Sequence, residues 1–447
     1  MNHSEMVKKA VRIAWPAVLE SFFVSLAGMI DTMMVSTMGS YAVAAVGLTT
    51  QPKFIGLAVF FAMNVAVSAI VARRKGEERQ EGANEALLTA LLLALVLCFV
   101  VTVLSLLAAE PLMRLAGSNA DTHTAAVEYF RIIMGGTIFT VISLVINAAQ
   151  RGSGNTRVAM YTNVTSSVVN VCFNYLLIGG KLGFPALGVR GAAIATVLGT
   201  VVAMCMSIAS LFRRTSYVRM EFLFGPRRVH PTRQVFSRIM QIGSTLLVEN
   251  VAMRVGFVAT AVLAARLGTD EFAAHNVGMN ILGLAFSFAD GMQVAAVALT
   301  GEALGAGRKD QAKGYGSICQ RIGFVISVLL SVALLLGGRA FYGLYFSEPH
   351  IIEMGVLISR FTTVIVLLQI SQVISSGCLR AAGDVRYALF ASLISVTIIR
   401  TLVTWLLVSV LHMGLAGVWI GVLSDQVSRF VLMGLRFRQG KWVDLRL

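Results

Sequence analysis

Long apolar segments separated by short polar connectors fill the whole chain. Uncharged runs lie at 86–109, 132–150, 158–180, 191–212, 322–338 and 402–424. Each has roughly the ~20 residues that an α-helix needs to cross ~30 Å of hydrocarbon. The alternation typical of a membrane β-barrel is absent. The pattern predicts an all-α polytopic membrane protein with twelve transmembrane helices, at about 10–37, 44–72, 84–109, 124–150, 157–180, 187–212, 235–266, 272–303, 314–338, 353–379, 386–411 and 414–437.

The second half of the chain repeats the first. The segment Arg151–Arg157 recurs 229 residues later as Arg380–Arg386, with a glycine at the same central position. Glu20 recurs at the same distance as Glu249. A membrane chain that repeats its first half is built from two homologous helix bundles, and substrate sites in such proteins lie between the repeats near the bilayer midplane. The duplication therefore indicates transport.

The number of helices predicts how the repeats are related. Six helices per half is an even number, so both halves enter the membrane from the same side and form parallel repeats. We expect an N-lobe at 1–212, a cytoplasmic linker at 213–234 and a C-lobe at 235–447.

Composition and charge agree with a membrane location. Hydrophobic residues make up 57% of the chain and charged residues 13%, against about 45–50% and about 25% in a soluble domain. If the N-terminus is cytoplasmic, the outside connectors hold only five of the 37 Lys and Arg residues: Arg114, Lys181, Arg190, Arg266 and Arg339. This asymmetry predicts that both termini are cytoplasmic. The net charge of +15 then faces an anionic leaflet, and a nucleic-acid partner is not expected.

The chain carries no recognisable catalytic motif. The five cysteines show no Cys-x-x-Cys spacing, and the six histidines show no metal-ligand spacing. A nucleophile motif, a Walker A loop and a dinucleotide fingerprint are absent. We expect a protein that is not an enzyme, has no cofactor and draws no energy from ATP of its own.

Four carboxylates lie deep inside predicted helices, where each charged group costs about 2.5–3.5 kcal/mol on insertion scales. Asp31 and Glu20 lie eleven residues apart on helix 1, close to three turns, so they share one face. Glu249 lies on helix 7 and Asp290 on helix 8. A structural role is as open for Glu20 and Asp290 as a role in binding a cationic substrate. For Glu249 the structural alternative is an ion pair with Arg254, five residues further on.

Polar side chains on helices 5 and 6 are suited to complete a cation site. Asn170 and Asn174 are spaced i, i+4, so they lie on one helix face, and helix 6 adds Thr196. Amide and hydroxyl oxygens beside the Asp31 carboxylate are suitable ligands for Na⁺ or partners for a protonatable Asp. Generic hydrogen bonding between helices is the open alternative.

A hinge and an apolar wall complete the candidates. Pro16 lies one turn before Glu20 and is expected to bend helix 1. Asp425 lies near the predicted cytoplasmic edge, where a carboxylate needs no function. The candidates for apolar contact with a substrate, each with packing as the alternative, are Met29, Met33, Phe61 and Met292.

These residues together resemble the multidrug and toxic compound extrusion (MATE) family over nearly the whole chain. The resemblance rests on the order and recurrence of several segments: Asp31–Val35, the paired Arg-x-x-Gly-x-x-Arg connectors, Asn170–Ile178, Gly188–Thr196 and Gly305–Arg308. It implies a monomer in the bacterial inner membrane, with two six-helix lobes. It also implies export of organic cations or amphipathic drugs against inward flow of H⁺ or Na⁺, in contact with membrane lipids.

The resemblance also assigns roles by position. Asp31 matches the helix-1 carboxylate, Pro16 the bend in helix 1, Asn170 and Thr196 the N-lobe cation site, and Glu249 the C-lobe carboxylate.

Two departures bear on the coupling ion. Asn174 stands where some members have Asp, and Gln369 stands where some sodium-coupled members have a second C-lobe carboxylate. Fewer negative oxygens favour H⁺ over Na⁺ and leave both open, including a sodium site at Asp31, Asn170, Asn174 and Thr196.

Two rivals stay open. The first is a lipid-linked precursor flippase of the same superfamily, which would have a more cationic cavity, for which the candidate residues are Lys53, Arg131, Arg254 and Arg400. The second is a non-transport role as a membrane enzyme or scaffold, against which the duplicated halves and deep carboxylates speak.

Overall fold

The computed structural model describes residues 3–225 and 227–445, in which all regular structure is helical. These residues form twelve long helices: α1 (His3–Ser36), α2 (Ser40–Gly76), α3 (Gln80–Leu107), α4 (His123–Gly135 and Thr137–Gly152), α5 (Thr156–Ile178), α6 (Gly188–Leu211), α7 (Arg233–Ala265), α8 (Thr269–Gly305), α9 (Lys309–Gly343), α10 (Pro349–Ala382), α11 (Val385–Val410) and α12 (Gly414–Gln439). Short helices lie at Ala109–Leu115, Glu221–Phe224 and Lys441–Asp444. The prediction of an all-helical polytopic membrane protein is confirmed.

Ten of the twelve helices in the described residues are individually long and apolar enough to cross a membrane. The eleventh, α4, is bent by 46° at Gly136. A Cβ atom added to Gly136 would lie 2.7 Å from the Val197 side chain, so the bend coincides with a close approach to α6. The twelfth, α5, falls outside that set because Thr, Asn and Ser residues recur along it.

Most helices run further than the sequence predicted. Helix α9, for example, spans Lys309–Gly343 where 314–338 was expected, and α2 continues through Arg73, Arg74 and Lys75. The uncharged runs mark only the part of each helix that suits hydrocarbon. Charged residues continue the same helices, which end at polar or glycine positions such as Gly383, a left-handed residue with φ 88°.

Helix α11 departs from regular α-helical geometry. It contains π-helical turns at Leu393–Arg400 and Leu406–Val410. The first of these faces α7, where Thr397 Oγ1 donates a hydrogen bond to the Ala252 carbonyl oxygen at 2.8 Å. A Cβ atom at Gly256 would lie 2.3 Å from the Val396 carbonyl oxygen. The glycine therefore permits α7 to pack directly against the π-helical backbone.

The chain packs into two compact units. One, here called the N-lobe, comprises Leu19–Gly243, and the other, the C-lobe, comprises the chain up to Val18 together with the chain from Ser244 onwards. The first half of α1 belongs to the C-lobe, where Lys9 Nζ donates a hydrogen bond to Glu302 Oε1 at 2.6 Å. The boundaries predicted at 1–212, 213–234 and 235–447 stay a prediction.

Each lobe has its own apolar core. The C-lobe core includes Trp419, Tyr342 and Ile358, all fully buried. In the N-lobe, Met113, Phe130 and Met134 pack together in one of the clusters. Chain beyond α6 packs on the N-lobe as well, since the Arg219 backbone N–H donates to Asn84 Oδ1 at 2.8 Å.

Candidate functional site

The predicted cation-site residues form one hydrogen-bonded network in the N-lobe. Asn174 Nδ2 donates a short hydrogen bond to Asp31 Oδ1. Asn170 Oδ1 accepts from the same amide at 3.4 Å, and Asn170 Nδ2 donates to Thr196 Oγ1 at 3.0 Å. Three helices, α1, α5 and α6, thus contribute to a single site. Two further polar groups act electrostatically on Asp31, the half-buried Lys53 of α2 and the buried Tyr129 of α4.

The spacing of polar residues on α5 explains how it meets α1. Asn163, Ser166, Asn170 and Asn174 recur every three or four residues, so they form one polar stripe. Asn163 Nδ2 donates to Glu20 Oε1 at 2.5 Å. Asn163 and Asn174 are eleven residues apart on α5, and the two carboxylates that they contact are also eleven residues apart on α1. The two helices run parallel with matched contacts about 16 Å apart, from the ~1.5 Å rise per residue.

Glu20 is neutralised within the N-lobe. Its side chain is buried and forms a short ion pair with Arg151, the first residue of the repeated connector segment. Together with Asn163, this gives Glu20 a cationic and a neutral donor. The structure therefore places Glu20 in a buried ion pair, the structural alternative that the sequence left open.

Glu249 has the equivalent arrangement in the C-lobe. Arg380 Nη2 lies 2.9 Å from Glu249 Oε1, and Ser392 Oγ donates to the same oxygen at 2.7 Å. The sequence separations of 131 and 143 residues equal those in the N-lobe clamp. Glu249 thus finds its counter-charge in Arg380 of α10, where the sequence pointed to Arg254. We call these two arrangements the Glu–Arg clamps.

A second charged cluster lies in the C-lobe. Asp425 Oδ2 accepts from Arg400 Nη1 at 3.2 Å, and Asp425 Oδ1 accepts from Arg429 Nε at 2.6 Å. Arg400 Nε also donates to Thr260 Oγ1 at 3.0 Å, and its guanidinium lies 4.8 Å from the Phe257 ring centroid. The Asp425 side chain is fully buried, and the two arginines satisfy it. Its expected place near the cytoplasmic edge stays a prediction.

The Asp31 network is not repeated in the C-lobe. At the 229-residue repeat distance, Thr260 takes the place of Asp31, and Val403 takes the place of Asn174. Asn170 likewise corresponds to the apolar Ile399. The clamps are therefore common to both repeats, whereas the Asp31 network belongs to the N-lobe.

The other predicted site residues differ in how deeply they are buried. Pro16 is buried inside the continuous α1, and Asp290 is half-buried. Gln369 is buried, and its Oε1 is without a hydrogen-bond partner among the described residues. The apolar candidates divide in two: Met29, Met33 and Phe61 are exposed, and Met292 is fully buried in the C-lobe core.

The MatE family model matches this chain twice, at residues 16–176 and 246–406. The chain belongs to the MATE family. The double match falls on the two halves that the repeated motifs mark, which confirms the duplication. As a member of the MATE family, the protein is an integral membrane transporter and not an enzyme.

Related proteins match this chain over nearly its whole length. A probable multidrug resistance protein NorM of Thermotoga maritima is 28% identical over 445 residues, covering 98% of this chain and 93% of the relative. An uncharacterized transporter, YisQ of Bacillus subtilis, is 24% identical and covers 97% of this chain and 94% of its own. The solved outward-facing conformation of a multidrug resistance MATE family transporter superposes with a TM-score of 0.89 at 26% identity, covering 98% of this chain and 97% of that chain.

We predict that breaking one clamp destabilises the protein and that removing both charges restores much of the loss. Arg380→Gln leaves Glu249 as an uncompensated buried charge, which typically costs about 3–5 kcal/mol. The double variant Glu249→Gln with Arg380→Gln should recover most of the shift in the thermal unfolding midpoint, measured in detergent at a fixed scan rate.

The exposed ion pair of Arg339 with Glu353, 3.0 Å apart, provides the control. Arg339→Gln should leave the midpoint almost unchanged, because exposed pairs contribute little. A shift for Arg339→Gln as large as that for Arg380→Gln would contradict the assignment of a buried, stabilising clamp.

Proposed function

We propose that this MATE protein is a proton-coupled antiporter that exports organic cations and amphipathic drugs by alternating access. The protein would lie in the bacterial inner membrane, and Asp31 would be the group that exchanges the coupling ion. The family implies cation coupling, and the multidrug resistance proteins that resemble this chain support the substrate class.

The observation that carries the proposal is the contrast between three deep carboxylates. Glu20 and Glu249 each have an arginine as direct partner. In the part of the chain that the structure describes, Asp31 has no cation within salt-bridge distance and is held by the amide of Asn174. A carboxylate held by neutral donors can take up and release a proton without leaving a buried arginine unpaired. Asp31 is therefore the best candidate for exchange.

A proton fits the Asp31 network better than Na⁺ does. Sodium in a dehydrated site needs several oxygen ligands with enough negative charge to replace its water. Here the Asn174 amide turns its NH₂ group toward Asp31, and the Thr196 hydroxyl donates to the Ala192 carbonyl oxygen at 3.0 Å. A proton needs only the one carboxylate. In the C-lobe, Gln369 likewise offers a neutral amide at the position where some sodium-coupled members have a carboxylate.

Protonation of Asp31 would loosen the contact between α1 and α5. The Asn174–Asp31 hydrogen bond is charge-assisted while the carboxylate is ionised, and such bonds are roughly twice as strong as neutral ones. Pro16 lacks a backbone N–H and weakens α1 one turn before the Glu20 clamp. Proton uptake would thus favour bending of α1 about Pro16 and release of the substrate. The exposed Met29, Met33 and Phe61 would offer an adaptable apolar surface to the substrate.

The flippase alternative loses part of its support. Of the four basic residues that favoured it, Arg400 is paired with Asp425, and Arg131 Nη2 lies 3.2 Å from Glu110 Oε1. These pairs reduce the positive charge that a lipid-linked anion would require.

We predict that an imposed pH gradient drives drug accumulation in proteoliposomes without added Na⁺. With a lumen more acidic than the external buffer, protons leave as the drug enters. Asp31→Asn should abolish this uptake, because the amide cannot exchange a proton, and should preserve the thermal unfolding midpoint. Glu249→Gln with Arg380→Gln serves as the matched double variant and should retain coupled uptake.

Two results would overturn parts of this proposal. Uptake that is absent under the pH gradient and appears with millimolar Na⁺ would make Na⁺ the coupling ion, with Asp31, Asn170, Asn174 and Thr196 as its ligands. Uptake by Asp31→Asn at the wild-type rate would remove Asp31 from the mechanism.

We propose that both termini and the Arg228 connector are cytoplasmic, because basic residues concentrate there. Arg228 and Lys181 are both exposed, so each accepts a test cysteine. In intact cells an impermeant thiol reagent should label Lys181→Cys above the background of the parent protein and should spare Arg228→Cys. Labelling of Arg228→Cys alone would invert the orientation.

A further inference from the structure

Helix α1 is shared by the two lobes. Up to Val18 it belongs to the C-lobe, and from Leu19 onwards it belongs to the N-lobe. The helix is continuous across this boundary, since it spans His3–Ser36. Asp31 therefore lies on a helix whose first half is part of the other lobe.

The first half of α1 contributes a buried stripe to the C-lobe. Its buried apolar residues lie at positions i, i+4, i+7, i+8 and i+11, which share one face of a helix. They are Met6, Ala10, Ile13, Ala14 and Ala17, and all but the last belong to the C-lobe core cluster. Three of the five are alanines, so the α1 backbone comes close to its neighbours.

The closest approach on this face is at Gly291 of α8. A Cβ atom added there would lie 2.5 Å from the Val18 Cα atom and 2.8 Å from the Ala17 carbonyl oxygen. Both are backbone atoms, so the two helices meet backbone to backbone. The contact lies beside Pro16, immediately before the part of α1 that belongs to the N-lobe.

A partly buried ion pair holds the start of α1 on the same lobe. Lys9 Nζ lies 2.6 Å from Glu302 Oε1 and 5.9 Å from the centroid of the buried Tyr315 ring. The hydrophobic effect that holds the apolar stripe is non-directional, whereas a hydrogen-bonded ion pair has a preferred geometry. The pair therefore fixes the rotation and the axial position of α1. We call this ion pair, together with the Gly291 contact, the α1 anchor.

The repeat counterpart of the ion pair consists of two cations. Helices α2 and α8 are both 37 residues long, and their ends correspond at the 229-residue repeat distance. At that distance Lys9 corresponds to Arg238 of α7, and Glu302 corresponds to Arg73 of α2. Arg73 and Arg238 act on each other as like charges, so they repel. The attractive pair thus accompanies α1, the helix that carries Asp31.

We propose that the α1 anchor transmits changes at Asp31 to the C-lobe. This inference rests on the proposed ion exchange at Asp31. The Glu20 clamp holds the second half of α1 in the N-lobe, and the anchor holds its first half. Coupling travels through rigid, packed elements of this kind, whereas a loose first half would absorb the movement by sliding. Lys9, Glu302 and Gly291 are therefore positioning residues, because they act on transport through α1.

Reversing one charge of the ion pair tests this transmission. Lys9→Glu sets two carboxylates against each other, and we expect the initial rate of pH-driven drug uptake in proteoliposomes to fall by about fivefold, the factor for about 1 kcal/mol, the upper range for a partly exposed pair. Proton release on drug binding should stay at the wild-type value, because Asp31 and its partners are intact. The exchanged pair, Lys9→Glu with Glu302→Lys, should restore the uptake rate.

A second ion pair of the C-lobe provides the control. Lys309 Nζ also lies 2.6 Å from a carboxylate oxygen, that of Asp444, and neither residue lies on α1. Lys309→Glu should therefore transport at the wild-type rate.

A pair of glycine variants on α8 tests the backbone contact. Gly291→Ala forces α1 away from α8, because the Val18 backbone cannot yield. Gly283→Ala is the matched control, since its added Cβ would meet no described atom within 4 Å and both variants gain the same helix propensity. We expect slower uptake for Gly291→Ala alone, again with wild-type proton release. If Lys9→Glu does not fold, this pair of variants decides the question.

The outcomes distinguish this inference from the proposed function. Uptake at the wild-type rate by Lys9→Glu or by Gly291→Ala would overturn the transmission and leave proton coupling in place. Equal losses in Gly291→Ala and Gly283→Ala would also overturn it, as would an exchanged pair no faster than Lys9→Glu. Loss of proton release in Lys9→Glu would overturn it too, since Asp31 itself would then be disturbed. Failure of the wild type to respond to pH would instead reject the proposed function.

Discussion

An ionised carboxylate inside a bilayer must be compensated by a cation or by hydrogen-bond donors. The rest of this structure depends on which partner each buried carboxylate has. Arginine compensates Glu20 and Glu249 through clamps that tie α1 to the end of α4 in one lobe and α7 to the end of α10 in the other. Asp425 is shared by two arginines. Asp31 is held by an amide. A buried charge with an opposite partner is fixed in place, because losing either partner is costly. A carboxylate with neutral partners keeps two accessible protonation states.

The internal duplication shows which structural features are common to both lobes and which occur in one lobe only. The clamps recur with the same residue separations and therefore belong to the common scaffold. The Asp31 network belongs to the N-lobe, whereas Thr260 stands at the position of Asp31 in the C-lobe. The two lobes thus share the clamps and differ in their other polar contacts. One holds Asp31 beside an amide, and the other holds Asp425 between two arginines.

The sequence predicted the helices and most of the Asp31 network, because both depend on short-range spacing. Asn170 and Asn174 were found by their i, i+4 relation, and Thr196 by its polar character on the next helix. The clamps were missed although their members were noted as repeats, because Glu20 and Arg151 lie 131 residues apart and same-helix spacing favoured Arg254 for Glu249. The partners of Asp425 were also missed, because one of them, Arg400, lies 25 residues away on another helix.

Proton release on drug binding would show whether Asp31 is the coupling group. Purified protein in weakly buffered detergent solution would be mixed with a cationic drug while the external pH is recorded. We expect release of protons by the wild type and by the Glu249→Gln with Arg380→Gln double variant, and none by Asp31→Asn at saturating drug. Unchanged release by Asp31→Asn, with loss of release in the double variant, would contradict it and place the coupling group in the C-lobe.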